Sequence, residues 1–163
     1  MKKLITFGEI MLRLNPEGFY RLRQAEKFEA TYAGGEANVA VSAANFGMDA
    51  SYVTKLPDND LGQCVVDALR RFGVKTDKIV FGGPRLGIYF VEKGVSQRAS
   101  KVIYDRANSS IAFAKREDFD WNEIFADADW YHFTGITPAL GGECAEICLD
   151  SVKAAKAKGV TIS

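Results

Sequence analysis

The chain has 163 residues, 47% apolar and 26% charged, which suits one globular domain with a real core. Its 21 basic and 21 acidic residues cancel, so no basic surplus marks a nucleic-acid face, and no apolar run reaches the length of a membrane span. Met1-Lys2-Lys3 is basic, but residues 4–7 are too short for a signal-peptide core and Gly8-Glu9 breaks them, so a cytoplasmic protein with neither nucleic-acid nor membrane partner is expected.

Residues 4–7, an apolar run closed by Gly8, read as a buried strand. Residues 10–14 are a second strand-like run, ended by Asn15-Pro16 and the Glu17-Gly18 turn. Residues 28–32 lead as a third strand into Ala33-Gly34-Gly35-Glu36-Ala37-Asn38. Two glycines there let the backbone approach a ligand with no Cβ in the way. The helix expected over 36–46 adds unpaired N–H groups and the positive end of its dipole. Asn38 adds an amide that donates and accepts. The stretch reads as a binding corner for a small polar molecule, or as a tight turn alone. Ala40, Ala43 and Ala44 let the helix lie close to a sheet, and Gly47 stops it.

Residues 50–54 are the next strand, followed by a turn at Leu56-Pro57-Asp58. Asp58 or Asn59 caps a helix running to about Phe72, closed by Gly73. Residues 86–91 and 101–105 are strand-like with no helix between them, joined by the polar stretch 92–100. With 10–14 and 28–32 they suit a small separate sheet, a lid over a site. Residues 130–134 form a strand, 135–142 a loop, and a helix follows with Ala145, Cys148, Leu149, Val152 and Ala155 along one apolar stripe. Gly159 ends it and 160–162 begin a further strand. This alternation predicts a parallel α/β sheet. Ser163 falls inside or just after a strand, where such a sheet normally continues through another crossover.

Alternation along a strand puts Tyr104 and Arg106 on one face, and Tyr89 on one face with Gly87 and Val91. If the strands pair, two phenols and a guanidinium share a cleft. Arginine matches a carboxylate or phosphate with its planar fork, and tyrosine offers a rigid apolar body with a hydroxyl tip. The set suits a small acid bearing hydroxyls; spacing alone favours instead a cross-strand aromatic pair beside a solvated arginine. Thr134-Gly135-Ile136-Thr137 sits at the C-terminal end of a parallel strand, where open α/β sheets bind ligands; it is a pocket wall or a turn. Cys144 and Cys148, one helical turn apart, lack further ligands except His132 and read as core thiols rather than a metal site. His132 itself reads as a strand histidine, Asp127-Ala128-Asp129 as a strand-entry loop, and Asp118 and Asp120 as flanks of a short helix. There is no GxxxxGK[ST] phosphate loop, no protein-kinase motif set, and one histidine leaves no Ser–His–Asp arrangement.

Gly8-Glu9-Ile10-Met11-Leu12-Arg13-Leu14, the Ala33-Gly34-Gly35-x-x-Asn38-Val39-Ala40 corner and Thr54-Lys55-Leu56-Pro57 resemble the ribokinase-like, or PfkB, sugar kinases. Gly87-Ile88-Tyr89-Phe90, Tyr104-Asp105-Arg106 and Phe133-Thr134-Gly135-Ile136-Thr137 look more narrowly like the members acting on 2-keto-3-deoxygluconate. The resemblance implies an α/β fold, a ribokinase-like parallel sheet flanked by helices, with lid segments at about 10–33 and 86–106 inserted in one unit over 1–163. It implies transfer of the ATP γ-phosphate, with Mg²⁺, to a primary sugar hydroxyl. Gly34 and Gly35 would contact the substrate through the backbone, with Asn38 supporting that corner. Tyr89 and Tyr104 would bind substrate oxygens from the lid, Arg106 would hold the acid end, and Ile136 would be a minor wall.

The family's catalytic Asp, its Gly-Ala-Gly-Asp anion hole and most of its ATP pocket lie in a C-terminal half that does not occur in these residues. The chain is therefore expected to be the N-terminal, substrate-recognition part of a longer kinase, and no catalytic residue or metal ligand is assigned within it. Ala33 stands where many members have glycine. Rival readings are a kinase of the fructokinase or ribokinase type, for which Arg106 has no carboxylate to meet, and a non-catalytic sugar-acid-binding or oligomerisation module. Sticky strand edges on the lid favour a homo-oligomer.

Overall fold

The computed structural model describes residues 2–163. Among the described residues nine strands and four α-helices follow in order: β1 (Lys3–Phe7), β2 (Met11–Pro16), β3 (Phe28–Ala33), α1 (Gly35–Asn45), β4 (Asp49–Leu56), α2 (Asp60–Arg71), β5 (Ile79–Phe81), β6 (Ile88–Glu92), β7 (Lys101–Asp105), α3 (Trp121–Ile124), β8 (Trp130–His132), α4 (Cys144–Ala157) and β9 (Thr161–Ile162). Five strands form a main sheet in the order β5-β4-β1-β8-β9, every pair parallel. No helix among the described residues is long and apolar enough to cross a membrane.

Parallel strands covered on both faces need apolar residues on both sides of the pleat. Leu4, Ala50, Tyr52 and Leu56 turn one way and pack with Ala37 and Ala40 of α1 and Val65, Val66 and Leu69 of α2. Ile5, Phe7, Val53 and Tyr131 turn the other way, onto Trp121 and Ile124 of α3 and Ile147, Cys148 and Ala155 of α4. The small residues of α1 let it lie against β1 and β4, as the sequence implied. Asn59 is the cap of α2, its Oδ1 accepting from the N–H groups of Leu61 and Gly62 at 3.0 and 3.2 Å.

The expected apolar stripe of α4 is corrected. Cys148 and Ala155 face the core, but Ala145 is exposed, Leu149 is 53% exposed and Val152 is half-buried. The buried side is Cys144, Ile147, Cys148, Ser151 and Ala155. Ser151 can face inward because its hydroxyl lies 2.8 Å from the Tyr131 Oη and donates to the Cys148 carbonyl. The second strand also begins one residue later than expected and runs two further, to Pro16, while Ile10 is buried in the link between the sheets.

The remaining strands make a second sheet in the order β3-β2-β6-β7. β6 and β7 are an antiparallel hairpin, β2 and β3 pair antiparallel, and β2 joins the two pairs by lying parallel to β6. Its register places Thr31, Arg13, Tyr89 and Tyr104 in one cross-sheet row, on one face.

Candidate functional site

The site lies where β1 and α1 meet, at the C-terminal edge of the main sheet and under one face of the second. β1 ends at Phe7, and Tyr52 Oη donates to the Gly8 carbonyl at 2.8 Å, holding the chain as it leaves the sheet. Burial, with the carboxylates of Glu36 and Glu9 adding to it, keeps that phenol far above its ordinary titration range. Glu9 therefore enters the junction between the sheets from a fixed backbone.

The glycine corner packs directly on this exit. Gly34 has an extended backbone any residue adopts, but a Cβ there would overlap the Glu9 carbonyl. The glycine is required by that close approach. Gly35, the first residue of α1, has nothing within 4 Å of the position a Cβ would take. Its bareness keeps space open in the cleft. The Asn38 N–H donates to the Gly34 carbonyl at 2.8 Å, closing the first turn and leaving the Asn38 amide exposed at the cleft. Glu36, 2% exposed, accepts from the Thr134 hydroxyl just beyond β8, tying α1 to the opposite wall.

From the second sheet come Met11, Tyr89, Tyr104 and Arg106. Tyr89 and Tyr104 are register partners with rings stacked at 5.8 Å and 29°. Arg106 Cζ sits 5.5 Å from the Tyr104 ring centroid. Partial burial raises the Tyr89 phenol, which stays protonated and able to donate. Arg106 donates from Nε to Glu9 Oε2 at 2.8 Å and also from Nη2 to the same oxygen.

Gly34, Gly35, Asn38, Tyr89, Tyr104, Arg106 and Ile136 all line one cavity of about 160 Å³, with Glu9, Met11, Ala33 and Glu36 completing it. Sequence reasoning brought seven residues to one place and missed the carboxylates of Glu9 and Glu36. A glutamate after Gly8 reads as the end of a strand, and one in the first turn of a helix reads as a dipole partner. The signal available for Glu36 was its place beside Gly35, read as a ligand contact; Glu9, beside the strand-closing Gly8, carried none. His132 lies elsewhere, its Nδ1 3.0 Å from Ser163 Oγ. Cys144 and Cys148 are buried in the α4 core.

The cleft can grip a small polyol through phenols, an amide and backbone N–H groups, with one guanidinium for an anionic end. Among the described residues no three His, Cys, Asp or Glu side chains converge as a metal site. The two cleft carboxylates are engaged by Arg106 and Thr134. With both engaged, these side chains do not fit a Mg²⁺ site.

A three-layer α/β body with a cleft at its strand ends, roofed by a small second sheet, defines the class. The chain belongs to the pfkB family of carbohydrate kinases, whose family model matches residues 1–162. It is 37% identical over 159 residues to the 2-dehydro-3-deoxygalactonokinase of Haloferax volcanii, covering 98% of this chain and 50% of that protein. It is 34% identical over 142 residues to the 2-dehydro-3-deoxygluconokinase of Thermoproteus tenax, covering 86% and 43%. The crystal structure of 2-dehydro-3-deoxygluconokinase from Thermotoga maritima matches with a TM-score of 0.98 at 57% identity, over 99% of this chain and 50% of that one. The chain spans about half the length of these relatives.

Proposed function

We propose that this chain supplies the substrate-recognition part of a carbohydrate kinase that phosphorylates a primary hydroxyl of 2-keto-3-deoxygluconate. The observation that carries the reading is the convergence of Tyr89, Tyr104 and Arg106 on the glycine corner of α1 in one small cavity. The stacked tyrosines present hydroxyls and a flat apolar wall to the sugar carbons. Arg106 offers a planar cation for the carboxylate. Gly34, Gly35 and Asn38 give the backbone and amide contacts, and Ile136 closes one side. The second sheet acts as a lid that excludes water when ligand is bound.

ATP and Mg²⁺ supply the phosphoryl group and its charge neutralisation in this reading. In this reading the residues of the cleft bind and orient the acceptor. Relatives named for keto-deoxy sugar acids support the acid substrate, and they include both a gluconate- and a galactonate-type kinase. A fructokinase-type reading has a relative in rice at 26% identity, but a neutral sugar offers no carboxylate to the donors of Arg106 that Glu9 leaves free. The reading includes a cytoplasmic location and self-association through the second sheet, whose outer strands expose Phe28, Val102 and Ile103.

Calorimetric titration of the chain with 2-keto-3-deoxygluconate, its galactonate epimer and fructose tests this. Binding of the acids at least about tenfold tighter than fructose is expected from one charge-assisted fork. Equal or tighter binding of fructose overturns the acid reading.

A further inference from the structure

Glu9 is 4% exposed beneath the cleft, and its two oxygens have different surroundings. Oε2 takes two hydrogen bonds from Arg106. Oε1 is shut away from solvent and has no hydrogen-bond partner. A buried carboxylate oxygen without a donor is costly, and natural structures rarely leave one so. Gly87 lies next to it: a Cβ there would stand 2.8 Å from Oε1 and 3.0 Å from Met11 Cγ. A methyl there would press on Oε1, so the carboxylate holds this place only beside a glycine.

The arginine side of the pair is equally specific. A guanidinium carries five N–H donors in a rigid fork. Glu9 covers its Nε–Nη2 edge and Tyr104 lies against its face. Nη1 and the outer N–H of Nη2 are the donors left for a ligand. They form an end-on pair matched to a carboxylate.

Building on the sugar-acid reading, we propose that Glu9 is a positioning and specificity-determining residue of this cleft. Oε2 turns Arg106 so that its Nη1–Nη2 end meets the ligand carboxylate, and Oε1, which solvent does not reach, accepts a hydrogen bond from a hydroxyl of the same ligand once the flexible Met11 side chain that lines the cavity moves aside. The ligand class is a hydroxylated carboxylic acid. An acid without hydroxyls leaves Oε1 unpaired and meets an arginine whose charge Glu9 already offsets. A neutral polyol satisfies Oε1 and leaves the arginine end unused. Discrimination against an analogue lacking the hydroxyl is strong when the site's own buried group is left unpaired.

The test compares 2-keto-3-deoxygluconate with 2-oxohexanoate, a keto acid of the same chain length without hydroxyls. Calorimetry is run on the chain, on Glu9→Gln and on Gly87→Ala, with melting curves to show that each is folded. Glu9→Gln is expected to weaken the sugar acid about tenfold while 2-oxohexanoate keeps or gains affinity, because Arg106 is no longer offset. Gly87→Ala, which displaces Oε1 but keeps both charges, is expected to weaken the sugar acid about tenfold and leave 2-oxohexanoate unchanged. If one variant does not fold, the other decides. Equal losses for both acids, or no loss for either, overturn the role of Glu9. If the unmutated chain binds neither acid, the sugar-acid reading itself is overturned and this inference with it.

Discussion

Arg106 donates two hydrogen bonds to a single oxygen of Glu9, a residue 97 positions earlier in the chain. The pair joins the end of β7 to the exit of β1, and so fastens the second sheet to the main one. Its members are unequally buried, with side-chain exposure of 25% for the arginine and 3% for the glutamate. Removing the arginine strands a buried carboxylate, whereas removing both charges strands nothing.

Arg106→Met is therefore expected to destabilise the chain by about 2–4 kcal/mol, and Glu9→Met with Arg106→Met by clearly less. Denaturant melts of the two single variants and the double give the coupling. Strictly additive effects contradict a direct pair.

The two corner glycines should respond with opposite signs. Gly34→Ala drives a methyl into the Glu9 carbonyl and is expected to cost about 2 kcal/mol or more. Gly35→Ala meets open space and gains helix propensity, so stability should hold or rise by about 0.5–1 kcal/mol. The same methyl enters the cavity and should weaken ligand binding. Thermal melts paired with calorimetry read both effects; a destabilised Gly35→Ala with intact binding contradicts the assignment.

Thr134 is the hydroxyl that satisfies Glu36 across the cleft. Thr134→Val keeps the shape and removes the donor, so a loss of about 1–3 kcal/mol is expected, and Thr134→Ser should recover most of it. Equal stabilities for the valine and serine variants would show that the contact carries no weight.

Alkaline pH should loosen the fold. Burial pushes the Cys144 thiol up to about 11 and the Cys148 thiol up to about 12 from an ordinary 9.0. Burial also raises the Tyr131 phenol. These groups hold their protons in the folded chain after the unfolded chain has released them. Stability is thus full below about pH 9 and falls as pH rises toward about 11. Denaturant midpoints at pH 8, 9 and 10 should decline, and decline less in Cys148→Ala. A flat profile shared by both proteins contradicts the burial argument.

Much of this architecture was legible because each element obeys its own local rule. The apolar run ending at Gly8, the alanines of α1 and the asparagine before α2 signal their structures directly. The hairpin of β6 and β7 followed from two strand-like runs with no helix between them. That hairpin brought Tyr89, Tyr104 and Arg106 to one face, as alternation required. What stayed hidden depends on tertiary partners. β5 is three residues long, stabilised by pairing with β4, and shows no periodicity of its own. The inward face of α4 includes Ser151, whose burial needs the Tyr131 hydroxyl on a different element. Glu9 looks like a strand terminator until β7 places Arg106 against it.

The proposed recognition of a sugar acid's carboxylate by Arg106 is tested most directly by one measurement. Calorimetric affinities for 2-keto-3-deoxygluconate and for fructose are compared between the unmutated chain and Arg106→Ala. The acid should lose at least about tenfold and fructose about twofold or less, as expected for loss of one charge-assisted fork. Equal losses on both ligands would contradict the carboxylate role and leave Arg106 as a brace between the two sheets.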